Sequence, residues 1–135
     1  MTLQVLIVDD EALARARLRT LLGDCRQPEA VAAGEAASAA QAMALVQRQR
    51  FDVALLDIHM PGADGLQLAA ALREAPQPPL VVFVTAHTEH AVHAFELEAV
   101  DYLTKPVRLE RLQTALQKVE RLAQTRQSPA GDSAP

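Results

Sequence analysis

Three largely apolar runs mark the chain, at 3–8, 53–56 and 80–84. None alternates apolar with polar, as a strand with one wet face would, so each reads as a strand buried on both faces. A weaker strand fits 30–33 and a short one fits 101–103. Between the strands the apolar period becomes that of a helix. Residues 12–22 place Leu18, Leu21 and Leu22 on one stripe. Residues 38–49 place Ala39, Ala42, Met43 and Val46 on another, with Ser38 as the N-cap. A third helix over 65–73 stops before Pro76, Pro78 and Pro79, which cannot continue it. A short helix over 89–96 follows, and the last helix, over 109–123, spaces Leu109, Leu112, Leu116, Val119 and Leu122 along one face.

Strand followed by helix, five times over, predicts an α/β fold with a parallel sheet covered on both faces. A five-stranded sheet of this kind takes the order 2-1-3-4-5, a flavodoxin-like (βα)5 three-layer sandwich, with functional groups at the carboxyl ends of the strands. Residues 1–124 make one domain. Residues 125–135 are small, polar and proline-punctuated, the composition of a linker.

Composition narrows this picture. The 135 residues suit one domain, and a chain that is 50% hydrophobic but 3% aromatic must build an aliphatic core. A net charge of -4 argues against non-specific binding to nucleic acid or to an anionic membrane, both of which are polyanions. Cys25 is the single cysteine, so no intramolecular disulfide forms, which fits a cytoplasmic location. The start of the chain lacks the basic residues and long apolar stretch of a signal peptide. No apolar run approaches the roughly 20 residues that span a bilayer.

The chemistry stands at the predicted strand ends. The first strand stops at Asp9, Asp10 and Glu11, the third at Asp57, the fourth at Thr85 and Ala86, and Lys105-Pro106 follows the fifth. Taken alone, Asp10 reads equally as a helix N-cap and Asp57 as a turn residue. Together, in the predicted topology, Asp9, Asp10 and Asp57 meet in one crevice. Two carboxylates about 4 Å apart repel by roughly 4 kcal/mol at an effective dielectric of about 20. A hard divalent cation with oxygen ligands, such as Mg2+, would offset that repulsion, and Lys105 adds a further positive charge.

Val5-Leu-Ile-Val-Asp-Asp-Glu11, Asp52-Val-Ala-Leu-Leu-Asp-Ile-His-Met-Pro-Gly62 with Asp64-Gly65, Val82-Phe-Val-Thr-Ala86 and Tyr102-Leu-Thr-Lys-Pro106 closely resemble the receiver domain of two-component response regulators. The resemblance covers residues 3 to 122. The stretch from His87 to Val107 is similar to receivers that precede a LytTR-type DNA-binding domain. The resemblance implies that Asp57 is the phosphoacceptor, served by a sensor histidine kinase. It implies that Asp10 binds Mg2+ directly, Asp9 mainly through water, and His59 through its backbone carbonyl. Thr85 would hydrogen-bond the arriving phosphoryl group, for which the small Ala86 leaves room. Lys105 would pair with a phosphoryl oxygen, Tyr102 would be the aromatic that turns inward on activation, and Lys105-Pro106 would be a cis peptide bond. His59 and His87, each two residues past a site residue, would tune the lifetime of the aspartyl phosphate or simply sit on the rim. The output face would be the fourth helix, fifth strand and last helix. It would serve a phosphorylation-dependent homodimer and a DNA-binding output domain absent from this chain, with no membrane partner.

Other readings fit less well. A flavin carrier on this sheet would place a Ser/Thr/Gly-rich phosphate loop where this chain has three acids. An aspartate-nucleophile phosphatase would carry a second Asp where His59 stands. A zinc site at His59 and His87 is unneeded once the acids are explained as a Mg2+ cluster. His90 and His93 read as solvated, and Cys25 as a packing or surface residue. Leu97 and Val100 suit either the core or a dimer face. Arg108, Arg111 and Arg121 beside Glu110 and Glu120 suit either a solvated face or inter-subunit pairs.

Overall fold

A computed structural model describes residues 2–86 and 97–127. The helix expected over 89–96, with His87, His90, His93 and Phe95, and the stretch 128–135 lie outside the described residues. In chain order the elements are β1 (Leu3–Val8), α1 (Ala12–Asp24), β2 (Ala30–Ala36), α2 (Ala39–Arg48), β3 (Val53–Leu56), α3 (Gly65–Leu72), β4 (Leu80–Thr85), β5 (Asp101–Thr104) and α4 (Leu109–Gln127). All strand pairs are parallel and the sheet order is β2-β1-β3-β4-β5, as the alternation of strands and helices predicted.

Successive strand residues point to opposite faces, and the core divides accordingly. Leu3, Val5, Ile7, Val53, Leu55, Val82, Val84 and Leu103 pack against Leu18 and Leu22 of α1 and Leu112, Ala115, Leu116 and Val119 of α4. Leu6, Val8, Ala54, Leu56, Val81 and Phe83 pack against Ala39 and Ala42 of α2 and Leu68, Ala69 and Leu72 of α3. This is why the three strands β1, β3 and β4 are apolar throughout: both faces are covered. Cys25 is buried in the first cluster. Leu97 packs against the second cluster and Val100 against the first. Leu122, placed on the buried stripe by its spacing, is 45% exposed, and Ala115 and Ala123 line the core instead.

The helix starts are chemically specified. Ser38 caps α2 by accepting the Gln41 N–H at 3.2 Å. Asp64 caps α3 in a reciprocal capping box with Gln67. α1 is different: its N-cap is Glu11, which makes no side-chain capping bond, and Asp9 Oδ1 accepts the Glu11 N–H at 2.9 Å. The N-cap reading of Asp10 is therefore set aside, since Glu11 occupies that position.

A charged clamp joins β5 to α4. Asp101 Oδ1 and Oδ2 accept from both terminal nitrogens of Arg111 at 2.8 and 2.9 Å, and Oδ2 also accepts from Lys118 at 3.1 Å. Arg111 is thus paired within its own chain. Burial pushes the Asp101 carboxyl up, but the bonds from Arg111, the Tyr102 N–H and Lys118 outweigh it and hold its pKa down at about 2, against an ordinary 3.8. A carboxyl depressed by folding stabilises the native state above its unfolded pKa and loses that contribution as pH falls through the folded value. Because Arg111 and Lys118 are 47% and 41% exposed, solvent screens part of the effect, leaving about 1–2 kcal/mol. Urea unfolding of Asp101→Asn should show that deficit at about pH 7 and a shallower loss of stability than wild type below about pH 4.

Candidate functional site

The strand ladder continues past the strand ends and places the site. The Asp9 N–H donates to Ala36 O at 3.1 Å, the Asp57 N–H to Val8 O at 2.9 Å, and the Lys105 N–H to Thr85 O at 2.9 Å. Backbone bonds therefore bring the predicted residues to one end of the sheet. Asp9 and Asp57 are buried, at 1% and 6% exposure, and Thr85 is fully buried. Asp10, His59 and Ala86 are exposed. One carboxylate oxygen from each of Asp9, Asp10 and Asp57 lies within 4.8 Å of the others. A cavity of about 320 Å³ opens beside them, lined by Asp10, Glu11, Asp57, His59, Ala86 and Lys105.

Lys105 Nζ sits between the buried acids, 2.8 Å from Asp9 Oδ2 and 3.5 Å from Asp57 Oδ2. Burial lowers the lysine pKa, but the Asp9 hydrogen bond and the charges of Asp57, Asp9 and Glu11 outweigh this and raise it above the ordinary value, so the ammonium stays charged. Asp57 moves the other way. Desolvation and the Asp9 charge raise its pKa above the ordinary carboxyl value, against the opposing pull of Lys105. One lysine thus does not neutralise the cluster: three carboxylates face one ammonium. That surplus of oxygen donors and negative charge fits a hard divalent cation, which typically takes one or two carboxylates and fills its remaining positions with water or phosphate oxygens.

A close backbone approach fixes the position of Asp57. Gly65 starts α3 directly against the turn after β3, where its N–H donates to Ile58 O at 2.8 Å. A Cβ at residue 65 would lie 2.2 Å from Asp57 O and 2.8 Å from Ile58 Cα, so no larger residue fits without moving the Asp57 backbone. Tyr102 is the register partner of Phe83, with ring centroids 6.3 Å apart and planes tilted by 54°. It is half-buried, two residues down the sheet from Thr85. The Lys105-Pro106 peptide is cis, and so is Gln27-Pro28, for which the sequence carried no signal.

The sequence reading missed Arg15, Arg19 and Glu35. Arg15 Nη1 donates to the Asp9 carbonyl at 2.7 Å, and its Nε pairs with Glu35 at 3.2 Å. Arg19 also pairs with Glu35. A pair 20 positions apart is visible in sequence only once Glu35 is known to lie near the end of β2, in register with Ile7 of β1.

Comparison with known proteins agrees with the fold and with the motifs. The profile of the response regulator receiver domain matches residues 5–117. The chain is 50% identical over 119 residues to the positive alginate biosynthesis regulatory protein of Pseudomonas aeruginosa, covering 88% of this chain and 48% of that protein. It is 38% identical over 118 residues to the sensory transduction protein LytR of Staphylococcus haemolyticus, covering 87% and 45%. The chain thus spans about half the length of the curated relatives it matches. Among solved structures it is similar to the response regulatory domain of protein mrkE from Klebsiella pneumoniae, with a TM-score of 0.80 at 35% identity, covering 93% and 99%. It is also similar to the chemotaxis protein CheY4 of Vibrio cholerae, with a TM-score of 0.76 at 30% identity, covering 88% and 99%.

Proposed function

The chain belongs to the response regulator receiver domain family, and from that premise we propose a signalling switch that is set by phosphorylation of Asp57. The observation that carries this reading is the arrangement around Lys105: one ammonium between two buried acids, beside a third acid and an open cavity. Asp57 Oδ attacks the phosphorus of a kinase phosphohistidine; the P–N bond breaks, the O–P bond forms and the histidine leaves. Asp9, Asp10, Asp57 and the His59 carbonyl would hold Mg2+, which supplies charge neutralisation for the transferring group when bound. Lys105 pairs with a phosphoryl oxygen, and Thr85 with Ala86 forms the wall that receives the group. Thr85 moving toward the phosphoryl group frees space for Tyr102, and β5 and α4, with the stretch expected to be helical over 89–96, pass the change on.

A sensor histidine kinase is the donor partner, and His59 and His87 tune the lifetime of the product. Among the described residues no helix is long and apolar enough to cross a membrane, in keeping with a cytoplasmic switch. The likeness to relatives about twice as long, one of them named LytR, supports a LytTR-type DNA-binding output domain outside residues 1–124, joined through 125–135, and a role in transcriptional regulation; a homodimer formed on phosphorylation belongs to the same proposal. Intact-mass spectrometry after incubation with acetyl phosphate should show a gain of one phosphoryl group that requires Mg2+. Beryllofluoride with Mg2+ should shift sizing toward a dimer. No mass gain at any Mg2+ concentration removes the proposal.

A further inference from the structure

Asp9 is held at all four of its polar atoms. Its N–H donates to Ala36 O, Oδ1 accepts from the Glu11 N–H, Oδ2 accepts from Lys105, and its carbonyl accepts from Arg15 Nη1 at 2.7 Å. The first three partners are strand ladder, helix start and site lysine. The fourth needs its own explanation. Arg15 lies in α1, its side chain 20% exposed, and it is held in turn by Glu35 of β2, 25% exposed, which also takes Arg19. An ion pair this close to solvent contributes little stability of its own. It does fix a planar guanidinium so that one nitrogen points at the Asp9 carbonyl while another meets the carboxylate, a geometry that an ammonium cannot reproduce.

We propose that Glu35 and Arg15 form a relay that positions the Asp9-Asp10 turn for cation binding, Arg15 acting on the metal site through the Asp9 backbone. The proposal rests on the reading of the acid cluster as a Mg2+ site. Its sign makes it testable. Arg15 is a cation beside an acidic cluster, so through-space electrostatics alone would make Arg15→Met bind Mg2+ more tightly. Loss of positioning would make it bind more weakly, as removal of outer partners of metal ligands generally does.

Mg2+ alone, with no phosphoryl donor, is titrated while the amide resonances of the β1–α1 turn are followed by NMR, and the same spectra report whether each variant is folded. Arg15→Met should weaken binding on the order of tenfold. Arg15→Lys, which keeps the charge and one donor, should fall between it and wild type. Glu35→Gln should weaken binding by about threefold, and the double variant should be no weaker than Arg15→Met, because the relay is already cut. Equal or tighter binding by a folded Arg15→Met overturns the relay. If Arg15→Met does not fold, Arg15→Lys decides: a wild-type affinity there overturns the proposal and a weaker one supports it. A wild-type protein whose turn does not respond to Mg2+, or responds equally with Asp10→Asn, takes down the metal reading and the relay with it.

Discussion

Asp57→Asn is expected to take no phosphoryl group from acetyl phosphate at any Mg2+ concentration, and to be more stable than wild type at neutral pH. The first half follows from chemistry: the amide has no nucleophilic carboxylate oxygen, and its neighbours Asp9 and Asp10 are proposed as cation ligands instead. The second half follows from the environment. Desolvation and the Asp9 charge raise the Asp57 pKa, which means that the folded protein resists ionisation of this group. A carboxyl whose pKa is raised by folding opposes the native state above the folded pKa, and that opposition fades as pH falls through it. Asparagine keeps the shape and removes the charge. What it loses is the 3.5 Å contact with Lys105, and Lys105 keeps its shorter 2.8 Å bond to Asp9. The urea midpoint of Asp57→Asn should therefore exceed that of wild type near neutrality, with the gap closing on acidification. A phosphorylated Asp57→Asn would place the acceptor elsewhere. A lower midpoint would mean that the Lys105 contact outweighs the repulsion. The opposed signs are those of a site in which stability has been given up for reactivity.

How much of this was legible in the sequence depends on which forces wrote it there. β1, β3 and β4 are covered on both faces, so burial alone makes them apolar and the bounds 53–56 could be read directly. β2 is an edge strand carrying Gly34 and Glu35, and its polarity made it read as ending at 33, three residues short. The same polarity hid Glu35, whose partners are reached only through the β1–β2 register. α4 runs to Gln127 rather than 123, because Gln124 and Thr125, beyond the buried Ala123, are exposed and add no apolar signal. Asp9, Asp10, Asp57, Thr85 and Lys105 were legible because each ends or follows a strand, and parallel strands bring their carboxyl ends together. The contact between Gly65 and the Asp57 carbonyl was not, because a close approach between turn and helix leaves no periodicity.

Lys105→Met should be the most damaging single change at the site. The methionine keeps most of the apolar stem and removes the ammonium, leaving Asp9 and Asp57, whose side chains are 2% and 8% exposed, without their shared cation. Removing one partner of a buried ion pair typically costs about 3–5 kcal/mol. Lys105 is itself 23% exposed, so water can enter in its place, and a loss of about 2–4 kcal/mol in urea unfolding at neutral pH is expected. Two dependences separate this cause from simple loss of packing. Lys105 lowers the Asp57 pKa, so without it the acid is raised further, and protonating it relieves the repulsion; the deficit against wild type should shrink as pH falls. The cation site also gains charge imbalance: three carboxylates remain with no ammonium, so Mg2+ should bind more tightly and stabilise the variant more than wild type at equal concentration, by RT ln(1 + [L]/Kd). A deficit that ignores both pH and Mg2+ would mean that Lys105 stabilises this end of the sheet by its stem, and that the acids tolerate one another without it. Phosphoryl transfer to Lys105→Met should remain slow even at saturating Mg2+, since the restored charge balance does not replace the donor that Lys105 is proposed to offer a phosphoryl oxygen.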